Sequence, residues 1–157
     1  PVLELDDGRH TSETIAIFRY IEATHPEPRL FGRDAYEQGA VEEWQRHVEL
    51  DGMAAVAEGF RNSTPGMKGR AVTGQYGYEQ IAELAERGKA RALRFFELLD
   101  KRLANQEYIV GAHYSVADIT ALVGYDFGTR TKVISLDGLA NLTRWHSAVS
   151  ERPSAKA

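Results

Sequence analysis

Residues 111–119 read Gly-Ala-His-Tyr-Ser-Val-Ala-Asp-Ile, and this stretch carries the most specific local signal in the chain. Ser115 as an N-cap can accept a hydrogen bond from the backbone amide of Asp118, while the Asp118 carboxylate can accept one from the amide of Ser115. This reciprocal capping box predicts that a helix begins at Ser115, and by itself it is a structural feature. The residues that follow are nearly all apolar. A helix without a polar face belongs in the middle of a helical bundle.

Helical periodicity extends over most of the chain after Leu30, because apolar residues recur there at spacings of three and four. Asp34 is the expected N-cap of the first long segment, and Gly52 and Gly59 predict a bend or a close neighbouring backbone within it. The expected helices cover 34–62, 79–105, 115–132 and 139–151, with a glycine-rich loop over 63–78.

The first 25 residues have a different pattern. A short β-type run over 2–5, the turn signal Asp-Asp-Gly and a return strand over 9–11 predict a β-hairpin. Ser12 is then the expected N-cap of a helix, and Glu13 places a carboxylate in its first turn. That helix ends before His25-Pro26-Glu27-Pro28, which predicts a linker.

The turn from strand to helix at Ser12, Glu13 and Thr14 brings together free amides, a carboxylate and two hydroxyls. Such a corner suits a ligand that carries both an α-carboxylate and an α-ammonium group. The simpler interpretation is an N-cap with an acidic residue that compensates the helix dipole. The residues alone leave both interpretations open.

Composition excludes several classes of function. The 157 residues include 19 Lys and Arg against 23 Asp and Glu, a net charge of −4, which argues against nucleic-acid and anionic-membrane partners. With no cysteine, the chain has no disulfide, thiolate metal site or cysteine nucleophile, and its five histidines show no metal-binding spacing. No apolar run approaches the roughly 18 residues that cross a bilayer. We expect a cytoplasmic protein without metal or cofactor.

Taken together, these motifs resemble the glutathione S-transferase family. Pro-Val-Leu-Glu-Leu, the turn and Ser-Glu-Thr-Ile-Ala-Ile-Phe-Arg-Tyr-Ile are similar to the second half of its thioredoxin-like domain. The Pro-Glu-Pro linker, the long helices and the Gly-x-x-Tyr-Ser-x-Ala-Asp-Ile box resemble its all-helical C-terminal domain. The resemblance implies a mainly α fold, an all-helical bundle preceded by a partial thioredoxin-like β-hairpin and helix. Residues 1–25 would form the partial glutathione-binding domain, 26–33 the linker and 34–157 the helical domain.

The resemblance also assigns residues to glutathione. Glu13 and Thr14 match the acid and hydroxyl pair that holds the γ-glutamyl end, with Ser12 beside them; the family usually has Ser at the position of Thr14. Pro1 falls at the family's cis-proline, whose preceding residue pairs through its backbone with the cysteinyl part of glutathione. Ser115 and Asp118 match the structural capping box. Glutathione would be a co-substrate, and no cofactor or metal is implied.

The residue that activates the glutathione thiol belongs, by the same resemblance, to a first βαβ segment upstream of Pro1. We therefore expect this chain to be part of a longer polypeptide, with its catalytic residue still unknown. The implied activity is conjugation of the glutathione thiolate to small hydrophobic electrophiles, in a homodimer. The alternative is a non-catalytic binding or assembly module of the same fold, since fold alone does not establish function.

Overall fold

A two-stranded antiparallel hairpin opens the computed structural model, which describes residues 1–156. Strand β1 covers Val2–Glu4 and strand β2 covers His10–Ser12, with Val2 paired to Ser12 and Glu4 to His10. Gly8 takes a φ of 81° in the connecting turn, a left-handed conformation that glycine adopts without steric cost. The predicted hairpin is therefore present, and the first helix, α1 (Thr14–Thr24), follows it directly.

The start of α1 differs from the prediction. Ser12 remains in the β-ladder as the last residue of β2, so it does not cap the helix. The N-cap position belongs to Glu13, which therefore lies before the first helical turn and makes no side-chain capping hydrogen bond. The φ of Glu13 is 73°, and this left-handed conformation reverses the chain sharply enough to pass from strand to helix within one residue.

The predicted helix over 34–62 is a continuous helical rod in three parts. Helix α2 (Ala35–His47) leads into a π-helical segment (Val48–Met53), and helix α3 (Ala54–Ser63) completes the rod. Asp34 caps α2 as predicted, since its side chain accepts from the Glu37 amide at 2.9 Å. The bend expected near Gly52 takes the form of the wider π turn.

Arg91 holds this π segment in place. Where a helix returns from π to α geometry, one carbonyl oxygen is left without an intrahelical partner. The Ala54 amide bonds to the Glu49 carbonyl, and the next carbonyl oxygen, that of Leu50, accepts from Arg91 Nη2 at 2.9 Å. Gly52 is needed at the same place, because a Cβ there would lie 2.7 Å from the ring of Phe95.

Three further helices complete the bundle: α4 (Ala82–Leu103), α5 (Val116–Arg130) and α6 (Ala140–Ser150). Each is one to three residues shorter at its ends than the sequence predicts. The close approach expected at Gly59 is present between α3 and α4, since a Cβ on Gly88 would lie 2.5 Å from the Gly59 amide nitrogen. The largest fully buried side chains of the core include Trp145, Phe96, Leu99, Leu103, Ile109 and Leu142.

The linker ties α1 to the bundle. The Glu22 carboxylate of α1 accepts from the amides of Leu30 and Phe31 at 2.9 and 3.0 Å, and the Leu30 carbonyl accepts from the Val116 amide at 3.0 Å. Arg19 lies over the Phe31 ring, with its guanidinium carbon 3.9 Å from the ring centroid. The hairpin and α1 therefore have a defined position relative to the start of α5.

Two features of residues 1–156 bear on membrane and metal binding. The helices in this part of the chain are too short or too polar for any of them to cross a membrane. Over the same residues, His, Asp and Glu side chains form no group of three or more that could hold a metal ion.

Candidate functional site

The four residues assigned to glutathione lie at one corner of the structure. The register that pairs Val2 with Ser12 brings Pro1 to the same end of the hairpin as Glu13. Thr14 follows as the first residue of α1, and all four assigned side chains are exposed. The fold thus brings Pro1 close to residues eleven or more positions away in sequence, and the side chains of residues 1–156 leave the corner open.

The backbone at this corner is strained. Glu13 has a φ of 73° and a ψ of 129°, a sparsely populated conformation that costs a residue with a Cβ about 1–3 kcal/mol. Residues in such backbone conformations persist where the surrounding structure enforces the conformation, and these residues are concentrated at ligand-binding sites. Here the β-ladder on one side and α1 on the other enforce it. Unlike Asp34 at the start of α2, Glu13 makes no side-chain capping hydrogen bond.

The N-terminus of α1 supplies hydrogen-bond donors beside Glu13. The first intrahelical bond runs from the Ile17 amide to the Glu13 carbonyl at 3.0 Å. The three amides before Ile17 therefore have no acceptor inside the helix. Together with the helix dipole, they favour a negatively charged group. A carboxylate, a hydroxyl and free amides thus lie side by side, as a ligand with both an acidic and an ammonium group requires.

The second predicted motif, the box at Ser115 and Asp118, is buried. Asp118 has none of its surface exposed, and its Oδ2 accepts from both the amide and the hydroxyl of Ser115 at 3.0 Å. Both hydrogen bonds of the predicted capping box are present, and the Asp118 amide also lies 3.1 Å from the Ser115 carbonyl. This motif positions α5, as predicted, and is inaccessible to a ligand.

Asp118 has two partners that the local sequence does not reveal. Its Oδ1 accepts from the Ile109 amide at 3.0 Å and from Trp145 Nε1 at 2.8 Å. Burial raises the pKa of Asp118, and the hydrogen bonds from Ile109, Trp145 and Ser115 oppose that shift. One carboxylate therefore joins α5, the loop before it and α6. The buried tryptophan at helical spacing in α6 was the available signal, although it does not specify a partner.

An apolar groove of about 300 Å³ lies between α1, the linker and α5. It begins one turn into α1, at Phe18, and the corner residues do not line it. Ile21 is 45% exposed along it. The lining residues are Phe18, Ile21, Glu22, His25, Glu27, Pro28, Leu30, Phe31, Val116 and Ile119. The groove and the corner are therefore separate features of the same helix.

Comparisons with known proteins agree with this architecture. The family model "Glutathione S-transferase, C-terminal domain" matches residues 54–153. Glutathione S-transferase 2 of Saccharomyces cerevisiae is 33% identical over 156 residues, which cover 99% of this chain and 65% of that protein. A probable glutathione S-transferase of Nicotiana tabacum is 26% identical over 151 residues, 92% of this chain and 59% of that protein.

Solved structures give the same result. The structure of Gtt2 from Saccharomyces cerevisiae superposes with a TM-score of 0.88 at 31% identity, over 99% of this chain and 73% of that one. A class Gtt2 glutathione S-transferase of Vibrio parahaemolyticus gives 0.85 at 34%, over 100% and 71%. The fold is thus that of a helical bundle joined to a partial thioredoxin-like unit. The chain belongs to the glutathione S-transferase family, and it spans 59–65% of the length of the curated relatives it matches.

Proposed function

We propose that the protein containing this chain is a glutathione transferase, and that the corner formed by Pro1, Ser12, Glu13 and Thr14 binds the γ-glutamyl end of glutathione. The observation that carries the proposal is the geometry of Glu13. It is an exposed carboxylate, held in a left-handed conformation, next to free amides at a helix N-terminus. The membership of the chain in the glutathione S-transferase family supports glutathione as the ligand of this corner.

In the proposed complex, each group at the corner has a separate task. The Glu13 carboxylate pairs with the α-ammonium of the γ-glutamyl residue. The Thr14 hydroxyl and the free amides of α1 hold the α-carboxylate, whose charge the helix dipole also favours. Ser12 and Pro1 border the site at the end of the hairpin. These contacts fix the position of the tripeptide, and they do not act on its sulfur.

The reaction is attack of the glutathione thiolate on an electrophilic carbon of a small hydrophobic substrate. The thiol proton passes to solvent before the attack, because the thiolate is the nucleophile. As the carbon–sulfur bond forms, either a leaving group departs from that carbon with its bonding electron pair, or an activated double bond opens and its far atom takes up a proton. We propose that the group that lowers the thiol pKa lies in a segment upstream of Pro1, and that the helical domain forms part of the electrophile pocket. A role in detoxification and a cytoplasmic location belong to the same proposal.

Titration calorimetry with glutathione on the full-length protein tests the site. Glu13→Gln removes one charge at nearly constant shape, and a charged hydrogen bond contributes about 1.5–3 kcal/mol. We therefore expect the dissociation constant to rise about tenfold or more, because each 1.4 kcal/mol is a factor of ten. Asp6→Asn, at the opposite end of the hairpin, is the matched control and should leave affinity unchanged. Equal affinities for Glu13→Gln and the wild type would reject the assignment.

A turnover assay with a chromogenic electrophile separates the enzyme from the non-catalytic module. Conjugation that is lost together with glutathione binding in Glu13→Gln supports the transferase. Binding without conjugation, across a panel of electrophiles, would instead identify a binding or assembly module with the same corner.

We also propose that the protein is a homodimer that uses the face of α4 and the π segment. Leu50 and Leu98 are 50% and 51% exposed there, beside a depression of about 250 Å³ that also contains Asp51 and Arg91. Charges of both signs on one apolar face suit a two-fold interface, in which each patch contacts its own copy. In sedimentation, Leu98→Glu should give a monomer. Val123→Glu, equally exposed on α5, should remain a dimer; a dimer in both variants would exclude this face.

A further inference from the structure

The loop between α3 and α4 exposes a large share of the apolar side chains of this chain. Of the twelve large hydrophobic side chains that are exposed in residues 1–156, four lie within residues 72–81. They are Val72, Tyr76, Tyr78 and Ile81, which are 48–76% exposed. A Cβ on Gly74, between them, would meet nothing within 4 Å. This part of the loop therefore projects into solvent with its apolar groups uncovered.

Hydrogen bonds hold the loop in a defined shape. Gln80 Nε2 donates to the Thr64 carbonyl at 2.8 Å, which ties the two ends of the loop together. Further out, the Ala71 amide donates to the Tyr78 carbonyl at 3.0 Å and closes residues 71–78, which we call the loop tip. The tip therefore presents its side chains in a fixed arrangement, and a partner would not have to order it on binding.

The charges beside the loop tip are all positive. Residues 59–78 contain Arg61, Lys68 and Arg70 and no acidic residue, so in a chain of net charge −4 the remaining residues carry −7. Arg61 and Arg70 both donate to backbone carbonyls at 2.7 Å, which do not neutralise their charge. Arg70 is paired with Tyr78 in an isolated β-bridge. The net charge of the whole chain argues against an anionic partner, but this segment has the opposite sign.

We infer that the loop tip binds the surface of an anionic lipid bilayer. Tyr76 and Tyr78 suit this boundary, because the ring of a tyrosine can enter the apolar layer while its hydroxyl stays with water. Val72 adds an aliphatic group to the same tip. Lys68 and Arg70 would lie among the anionic headgroups, where each cation strengthens the binding.

The acidic remainder of the chain does not prevent this contact. The electrostatic field of an anionic surface decays over about 8–10 Å at moderate salt. A closed loop of eight residues can extend up to about 13 Å, because four residues at about 3.3 Å each form one side. The tip can therefore enter the field while the bundle stays outside most of it. Nucleic acid fits less well, since its binding commonly uses about six to ten phosphate contacts and this segment has three cations.

Sedimentation with lipid vesicles tests the inference on the full-length protein, independently of the proposed glutathione site. The protein should pellet with vesicles of phosphatidylserine and phosphatidylcholine in a ratio of about 1:2, and stay in solution with phosphatidylcholine alone. Binding should weaken as NaCl is raised from about 50 to 200 mM. Failure to pellet with the phosphatidylserine vesicles at about 50 mM NaCl would overturn the inference, and so would equal pelleting with both kinds of vesicle.

Matched variants show whether the loop tip makes the contact. Lys68→Gln should weaken the binding about fivefold, because one cation near the anionic surface is lost. Tyr76→Ser should weaken it about tenfold or more, because the ring no longer enters the apolar layer. The controls are Lys101→Gln, in the last turn of α4, and Tyr36→Ser, whose side chain is 84% exposed on α2. Both should bind like the wild type.

These substitutions all change exposed side chains, so the fold should be retained, which circular dichroism can verify. Equal losses in the loop variants and in the controls would assign the binding to another surface and reject the loop tip. Binding of single-stranded DNA by the wild type, without binding of phosphatidylserine vesicles, would identify a nucleic-acid contact instead.

Discussion

Replacement of Asp118 by alanine is the sharpest test of how this fold is held together. Its two carboxylate oxygens accept four hydrogen bonds, at 2.8–3.0 Å, from Ser115, Ile109 and Trp145. Alanine accepts none of them. The Ser115 hydroxyl can rotate to another acceptor. The backbone amides of Ser115 and Ile109 and the indole nitrogen of Trp145 lose the Asp118 acceptor, in a site with no solvent access.

The cost follows from those three donors. A buried donor without a partner costs about 1–3 kcal/mol, so the upper sum for three is about 9 kcal/mol. Alanine also relieves the desolvation of the carboxylate, which is the main cause of the raised pKa of Asp118. This relief brings the expected loss into the lower part of the range for three unpaired donors, about 3–5 kcal/mol. The local box alone predicts only about 1 kcal/mol.

Urea unfolding of Asp118→Ala measures the loss, and thermal unfolding should show a melting temperature lower by roughly 6–20 °C. Asp118→Asn keeps one acceptor oxygen but turns an NH₂ group towards other donors, so we expect about 1–3 kcal/mol. Asp6→Ala, an exposed aspartate in the hairpin turn, should change stability by less than about 0.5 kcal/mol. A loss below about 1 kcal/mol for Asp118→Ala, with an unchanged urea slope, would refute the role of the network.

Two further predictions concern carboxylates at helix N-termini. Arg33 donates to both oxygens of Glu37, at 2.6 and 3.0 Å, and these hydrogen bonds lower the pKa of Glu37 to about 2. Because the folded-state pKa is lowered, the pair stabilises the fold fully above about pH 4.5 and progressively less as the pH falls towards 2; Glu37→Gln should abolish this part of the acid titration of stability. Asp100 of α4 accepts from the amide of Leu142 at 2.9 Å and so caps α6, which has no side-chain cap of its own. Asp100→Ala should lower the free energy of unfolding by about 1–2 kcal/mol in urea, and an unchanged midpoint would exclude the cap.

The helices could be predicted from the sequence because each contains its own signals. Asp34 caps α2 through a residue three positions away, and the box at Ser115 begins α5 in the same manner. The hairpin was predictable for a similar reason, since Asp-Asp-Gly followed by a short polar run has few alternatives. These interactions connect residues only a few positions apart, so they can be predicted from the sequence alone.

One local prediction was wrong and another was incomplete, because residues distant in sequence decide the conformation. Ser12 was predicted to cap α1, but pairing with Val2 keeps it in the strand and moves the N-cap position to Glu13. A helix over 34–62 with a bend or a close neighbouring backbone at Gly52 was predicted, but the sequence did not show that the bend is a π segment. The side chain of Arg91, some forty positions away, donates a hydrogen bond to the Leu50 carbonyl, which has no partner within the helix. This hydrogen bond allows a π segment there.

The corner formed by Pro1, Ser12, Glu13 and Thr14 likewise has features that the sequence predicts and features that only the fold decides. The residue types at Glu13 and Thr14 are read from the sequence, and they carried the family resemblance that the comparisons confirm. Their arrangement is tertiary: the hairpin brings Pro1 beside them, and the strained backbone of Glu13 arises from the strand and helix that it joins. The sequence by itself determined where helices start and which family the chain belongs to, because caps and motifs act over one turn. Only the folded chain decided which distant donors meet Asp118 and which carbonyl Arg91 satisfies, because those partners lie far apart in sequence until packing brings them together.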